Sequence, residues 1–186
     1  MTNLYQLPDD LPVPVDDGAC DHLQGMSLPS LLLKTSSGNS LDLSKEKGIV
    51  VIFFYPMIGS PDSPPMEDWN DIPGARGCTP QTCSFRDSYN ELTELGARVF
   101  GASSQAIEEQ REAAVRLKLP FVLLNDSAFK LTESLKLPTF EYQGVKMIKR
   151  LTLIMVDGVI RKVFYPVFPP NENVNHVISW LIEEMH

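Results

Sequence analysis

The sequence predicts an α/β fold, a central mixed β-sheet flanked by helices on both faces. Three observations carry that expectation. Ile49–Tyr55 is an unbroken run of β-branched and aromatic residues between Gly48 and Pro56, which suits a strand buried on both faces. Strand-like and helix-like segments alternate after it, the order that builds parallel strands joined by helices. Near the C-terminus, Asp157-Gly158 separates two apolar runs and signals an antiparallel hairpin, so the sheet is mixed.

Taken in order, residues 1–27 read as an extended N-terminal lead-in, acidic and punctuated by Pro8, Pro12 and Pro14. Leu28–Thr35 and Ser40–Leu43 flank the turn Ser36-Ser37-Gly38-Asn39 as a hairpin. After the buried strand, residues 57–77 are rich in breakers and form a long loop, a feature that is usually functional or disordered in a compact domain. A helix begins at Thr79, with Pro80 at its first position and Gly96 as its stop. Phe85, Tyr89, Leu92 and Leu95 recur along it at helical steps. Arg98–Ala102 reads as a strand, Ser104–Leu117 as a helix, Phe121–Leu124 as a strand and Phe129–Leu135 as a short helix. Leu151–Val156 and Val159–Tyr165 are the arms of the hairpin, and Asn171–Met185 closes as a helix with Val174, Val177, Ile178 and Leu181 on one side. With no internal repeat or linker, residues 28–186 are expected to form one domain.

Composition narrows the function. The 186 residues hold 16 Lys+Arg against 24 Asp+Glu, a formal net charge of -8, which argues against nucleic acid as the main partner. Mean hydropathy is -0.08, and no apolar run approaches the roughly 18–20 residues of a membrane span. The first residues lack the basic and then apolar regions of a secretory signal. The cytoplasm is therefore the expected location, where three cysteines are read as working thiols rather than a disulfide scaffold. Fifteen prolines exceed the usual ~5%, and six of them, from Pro56 to Pro80, crowd the approach to two of the cysteines.

Those two lie in Gly77-Cys78-Thr79-Pro80-Gln81-Thr82-Cys83-Ser84-Phe85-Arg86-Asp87. Cys78 falls at the N-terminal edge of the expected helix, where free N–H groups and the helix dipole favour a thiolate, the nucleophilic form. Cys83 follows five residues later. On an intact helix their Cα atoms stand roughly 8–9 Å apart, beyond the ~4.4–6.8 Å of a disulfide. A bond between them therefore needs the first turns to unwind, and the spacing suits a redox switch. Other readings compete. One takes the pair as half of a zinc site, but Cys20, His22, His176 and His186 offer no matching second pair, which argues against metal. A helix cysteine is also most often a buried small hydrophobe, a reading that fits Cys83 alone better than Cys78.

The segment Gly-Cys-Thr-x-Gln-x-Cys-x-Phe-Arg-Asp resembles the active-site motif of peroxiredoxins of the peroxiredoxin Q, or bacterioferritin comigratory protein, branch. The likeness runs from about Leu28 to Met185. It includes Phe53–Pro56 at the strand end, Leu119–Asp126, and Arg150 opening the strand Leu151–Val156. The resemblance implies a thioredoxin-like fold and an atypical two-cysteine peroxidase acting on hydrogen peroxide or organic hydroperoxides. It implies Cys78 as the peroxidatic cysteine, which becomes a sulfenic acid, and Cys83 as the resolving cysteine, which condenses with it. Arg150 matches the arginine that stabilises the thiolate and polarises the peroxide, and Gln81 the polar residue that orients that arginine. Thioredoxin or a similar dithiol is the implied reductant, and no metal or organic cofactor is implied.

One departure stands out. The family places Pro seven and Thr three residues before the peroxidatic cysteine, where this chain has Asp71 and Ala75. Phe54-Tyr55-Pro56-Met57-Ile58-Gly59-Ser60-Pro61 fits the family pattern if fifteen residues, 62–76, are inserted before Gly77. Pro56 then keeps its place and Ser60 supplies the hydroxyl. On the insertion, Arg76 reads as a solvated arginine or as added positive charge beside Cys78, and Trp69 as an anchor for the loop. Cys20 reads as a bystander thiol. The leading expectation is a monomeric thiol peroxidase; the alternatives on the same fold are a thiol–disulfide oxidoreductase and a redox-sensing binding domain.

Overall fold

The computed structural model describes residues 3–63 and 66–185. Pro64 and Pro65 of the expected long loop, and His186, weighed above as a zinc ligand, lie outside the described residues. Along the chain run β1 (Leu33–Thr35), β2 (Ser40–Leu41), β3 (Ile49–Phe54), α1 (Cys78–Asp87), α2 (Tyr89–Glu94), β4 (Ala97–Ser103) and α3 (Ile107–Arg116). There follow β5 (Leu123–Asn125), α4 (Lys130–Leu135), β6 (Thr139–Tyr142), β7 (Val145–Ile148), β8 (Leu151–Val156), β9 (Val159–Phe164) and α5 (Asn173–Met185).

Among the described residues the main sheet has the order β2-β1-β5-β4-β3-β8-β9. Strands β3, β4 and β5 are parallel, whereas β1, β8 and β9 join antiparallel, so the sheet is mixed as expected. The central strand is covered on both sides. Val51, Phe53 and Tyr55 face Phe85 of α1, Leu92 of α2, Ala113 of α3 and Val177 and Leu181 of α5. Val50, Ile52 and Phe54 face Leu131 and Leu135 of α4 and Leu23 of the N-terminal segment. This double burial is why Ile49–Phe54 carries no polar residue: neither face meets water.

Four details differ from the sequence reading. The single expected helix after Thr79 starts at Cys78 and breaks at Ser88, whose φ of -95° and ψ of 9° leave the helical region. Phe85 and Leu92 still share the core because seven residues span about two turns. Pro80 is the third helical residue rather than the first, still within the turn where no backbone donor is needed. A second hairpin, β6–β7, went unread; its turn Gln143-Gly144 has φ of 50° and 78°, the left-handed pair a tight hairpin needs. Finally, the lead-in is stitched to β9: Gly25 N–H donates to Ile160 O (2.8 Å), Ile160 N–H to Met26 O (2.9 Å) and Leu28 N–H to Gly158 O (2.9 Å). Leu28–Leu32 consequently lies outside β1, which begins at Leu33.

Candidate active site

The site forms where the parallel strands end. After β3 the chain loops away and returns at Gly77, which delivers Cys78 as the first residue of α1. Gly77 has φ of 110°, and a Cβ there would lie 2.4 Å from Pro170 Cγ and 2.8 Å from Leu7 Cδ2. Both facts demand glycine, and both fix where the helix starts. The loop is held from below by Gln105, whose amide accepts from Ile58 N–H (2.9 Å) and donates to Ile58 O (3.1 Å).

Cys78 is 3% exposed, and its Sγ accepts a hydrogen bond from Arg150 Nη2 at 3.2 Å. The same guanidinium donates to the carbonyls of Gly74 (3.2 Å), Ala75 (2.9 Å) and Arg76 (3.3 Å), and to Gln81 Oε1. Arg150 is thus wrapped by the backbone just before the cysteine, with its charge aimed at the sulfur. A bond of this kind is charge-assisted when the sulfur is a thiolate. Gln81, fully buried on α1, passes its amide nitrogen to Asn173 Oδ1 (3.0 Å), which also accepts from the Thr152 hydroxyl (2.6 Å). The sequence singled out neither Asn173 nor Thr152, because nothing in local spacing links them to residues 78–81.

Cys83 lies on the same helix, and all three cysteines are free. Burial pushes the Cys83 thiol up, with Arg86 and Arg116 offsetting part of the rise. Cys20 packs on the opposite face of the sheet, with Leu23 and α4. Burial and the nearby Asp17, Asp16 and Asp21 push its thiol up to about 12. The sheet therefore separates Cys20 from the other two, and a bond to either would require the core to open.

Ser60 sits in a turn where its hydroxyl accepts from Asp62 N–H (3.4 Å), and it is not among the described groups bonded to Cys78 or Arg150. Arg76 is neither free in solvent nor bonded to the sulfur. Its guanidinium donates to Asn3 O (2.6 Å) and Gln6 O (3.1 Å), and burial lowers its pKa. The residues it grips, Asn3–Leu7, form a strap across the site. Leu4 lies over Gly59, Leu7 over Gly77, and Tyr5 interacts with Arg116 and Arg86 beside Cys83. Trp69 is buried against Phe140 and Tyr142 of β6, with ring centroids at 6.1 and 5.3 Å. His22 bonds the Leu135 carbonyl at 2.8 Å, on the far side of the sheet. Among the described residues no cluster of His, Cys, Asp and Glu is arranged to hold a metal, and no helix is long and apolar enough to cross a membrane.

A thiol shielded at a helix N-terminus, bonded to a buried guanidinium and one and a half turns from a second thiol, defines a thiol-based redox protein on a thioredoxin-like sheet. The redoxin family model matches residues 23–178. The chloroplastic peroxiredoxin Q of Sedum lineare is 31% identical over 159 residues, 85% of this chain and 77% of that protein. The peroxidoxin BcpB of Mycobacterium tuberculosis shares the fold with a TM-score of 0.71 at 24% identity, over 87% of this chain and 97% of that one. The bacterioferritin comigratory protein of Xanthomonas campestris, described for its alkyl peroxide reduction activity, gives 0.69 at 19% identity, over 95% of this chain and 100% of that one. The chain belongs to the redoxin family, among its peroxiredoxin Q enzymes.

Proposed function

We propose that the chain reduces hydrogen peroxide and alkyl hydroperoxides with Cys78 as nucleophile, Cys83 as resolving thiol and Arg150 as the group that steers the peroxide. The single observation that carries the reading is the 3.2 Å bond from Arg150 to Cys78 Sγ, made by a guanidinium already held by three carbonyls and Gln81. The Cys78 thiolate attacks one peroxide oxygen. An S–O bond forms, the O–O bond breaks, and its electron pair leaves on the second oxygen, which takes a proton to become water or an alcohol. Cys78 is then a sulfenic acid. Cys83 attacks that sulfur, the S–O bond breaks and water departs, leaving a Cys78–Cys83 disulfide. Two electrons and two protons from thioredoxin or a similar dithiol restore both thiols.

The reading places the enzyme in the cytoplasm as a monomer, without nucleic acid or membrane as a partner, in keeping with its charge of -8 and its free cysteines. It takes residues 28–186 as the catalytic domain and 62–76 as a loop insertion walling the site. It keeps Ser60 as the residue whose hydroxyl bonds the peroxide. The test is peroxide consumption coupled to thioredoxin and its reductase, for the native chain, Cys78→Ser and Cys83→Ser. Cys78→Ser should abolish consumption. Cys83→Ser should undergo one oxidation without thioredoxin-driven turnover. Native protein no faster than Cys78→Ser would end the peroxidase reading and favour a disulfide-exchange or sensing role.

A further inference from the structure

The hydrogen bonds behind Arg150 admit only one polarity. A guanidinium has donors and no acceptor, so Gln81 can meet Arg150 only through Oε1. Its Nε2 must then point the other way, where it donates to Asn173 at 3.0 Å. Asn173 must answer with Oδ1, and the Thr152 hydroxyl, 2.6 Å from that same oxygen, must donate to it. The four side chains are between 0% and 3% exposed, so no bulk water substitutes for a missing partner. A turned Gln81 amide would set NH2 against the guanidinium and leave two buried donors facing each other, a costly arrangement.

We propose that Asn173 is a positioning residue for chemistry at Cys78. Its Oδ1 anchors the Gln81 amide, and so the seat of Arg150 against the sulfur, while the Thr152 hydroxyl anchors Asn173. The proposal rests on the reading that Cys78 is the reacting sulfur and Arg150 its partner. It adds a consequence for turnover. Gln81 lies between Cys78 and Cys83, within the turns that must unwind for the disulfide to form, so oxidation breaks the Gln81–Asn173 bond. Asn173, at the start of α5, and Thr152, on β8, stay on the body and receive Gln81 again when the helix reforms after reduction.

A double-mutant cycle tests this on two rates: Cys78 oxidation by hydroperoxide, and Cys78 alkylation by iodoacetamide read site by site with mass spectrometry. Gln81→Leu and Asn173→Leu should each slow both rates by about twofold to tenfold, the range of one lost hydrogen bond. The double variant should be no slower than the slower single variant, because Asn173 acts only through Gln81. Losses that multiply, or native rates in Asn173→Leu, overturn the proposal. If Asn173→Leu does not fold, Thr152→Val takes its place in the cycle at nearly unchanged shape. A slowing that vanishes in the Gln81→Leu background supports the relay; a slowing that persists there, or none at all, overturns it. Alkylation does not depend on peroxide. A chain that follows the cycle in alkylation yet consumes no peroxide loses its proposed activity and keeps the relay.

Discussion

Burial keeps Cys83 a thiol, although attack on a sulfenic acid is made by the thiolate. The rate of disulfide formation after a single peroxide addition should therefore rise with pH from neutral into the alkaline range, as the small thiolate fraction grows. Stopped-flow mixing followed by acid quench and mass analysis measures it, and a flat profile would sink the idea. The same raised pKa has a stability sign. Folding favours the protonated thiol, so the contribution is complete below the unfolded value of about 8.5 and is lost as pH climbs through the folded one. At this scale the grouping of Cys78, Gln81 and Cys83 was legible because they share one short motif, and the resemblance pointed to Arg150 beside them. Asn173 was not legible, because it meets Gln81 across 92 positions of chain and no local pattern records such a meeting.

Helix α1 is fastened differently at its two ends. At its C-terminal end Phe85 stacks on Phe53, with ring centroids 4.4 Å apart and planes 6° from parallel, and Arg86 donates to Leu117 O at 3.0 Å. At its N-terminal end it is held by Gln81 and flanked by the strap Asn3–Leu7, whose Leu7 lies over Gly77. In the proposed mechanism these fastenings confine unwinding to the turns that contain both cysteines. Removing residues 1–7 deletes the two carbonyls that hold Arg76. Cys78 alkylation and Cys78–Cys83 disulfide formation should both accelerate, by up to about a hundredfold if each of the two lost bonds counts in the usual range. Site-resolved alkylation of the truncated chain checks this, and unchanged rates would make the strap a passive tail. The sequence marked these residues only as an acidic, proline-punctuated stretch, since their docking depends on Arg76 and Gly77 being presented together.

Across the whole molecule, the two large cores on either face of the sheet are joined by a smaller third one. In it Trp69, Ala75 and Met147 are buried with Met57, Met66, Ile72, Phe140 and Tyr142 around them. The Tyr142 hydroxyl also donates to Glu67 O. This cluster couples the long loop to the hairpin β6–β7, and Ala75 within it presents the carbonyl that Arg150 grips. Trp69→Ala should cost about 3 kcal/mol, at the low end for a buried aromatic because the site is peripheral. Urea denaturation measures the loss, and a change under about 0.5 kcal/mol would mean the cluster carries no weight.

The sequence by itself determined the sheet's centre, the alternation of strands and helices and the place of the Cys78/Cys83 pair at the start of α1. Each of these is written in local periodicity or in the short-range spacing of reactive groups. The hairpin β6–β7 is also written locally, in the turn residues Gln143-Gly144. Only the tertiary structure decided that Cys20 stands across the sheet from the pair, that Arg76 turns to the N-terminal strap, and that Asn173 orients Gln81. Those facts depend on which distant segments share a buried space, where every polar group must find a partner. The net charge of -8 does not set the field at Cys78, because Arg150, 3.2 Å from the sulfur, is seated there by backbone carbonyls.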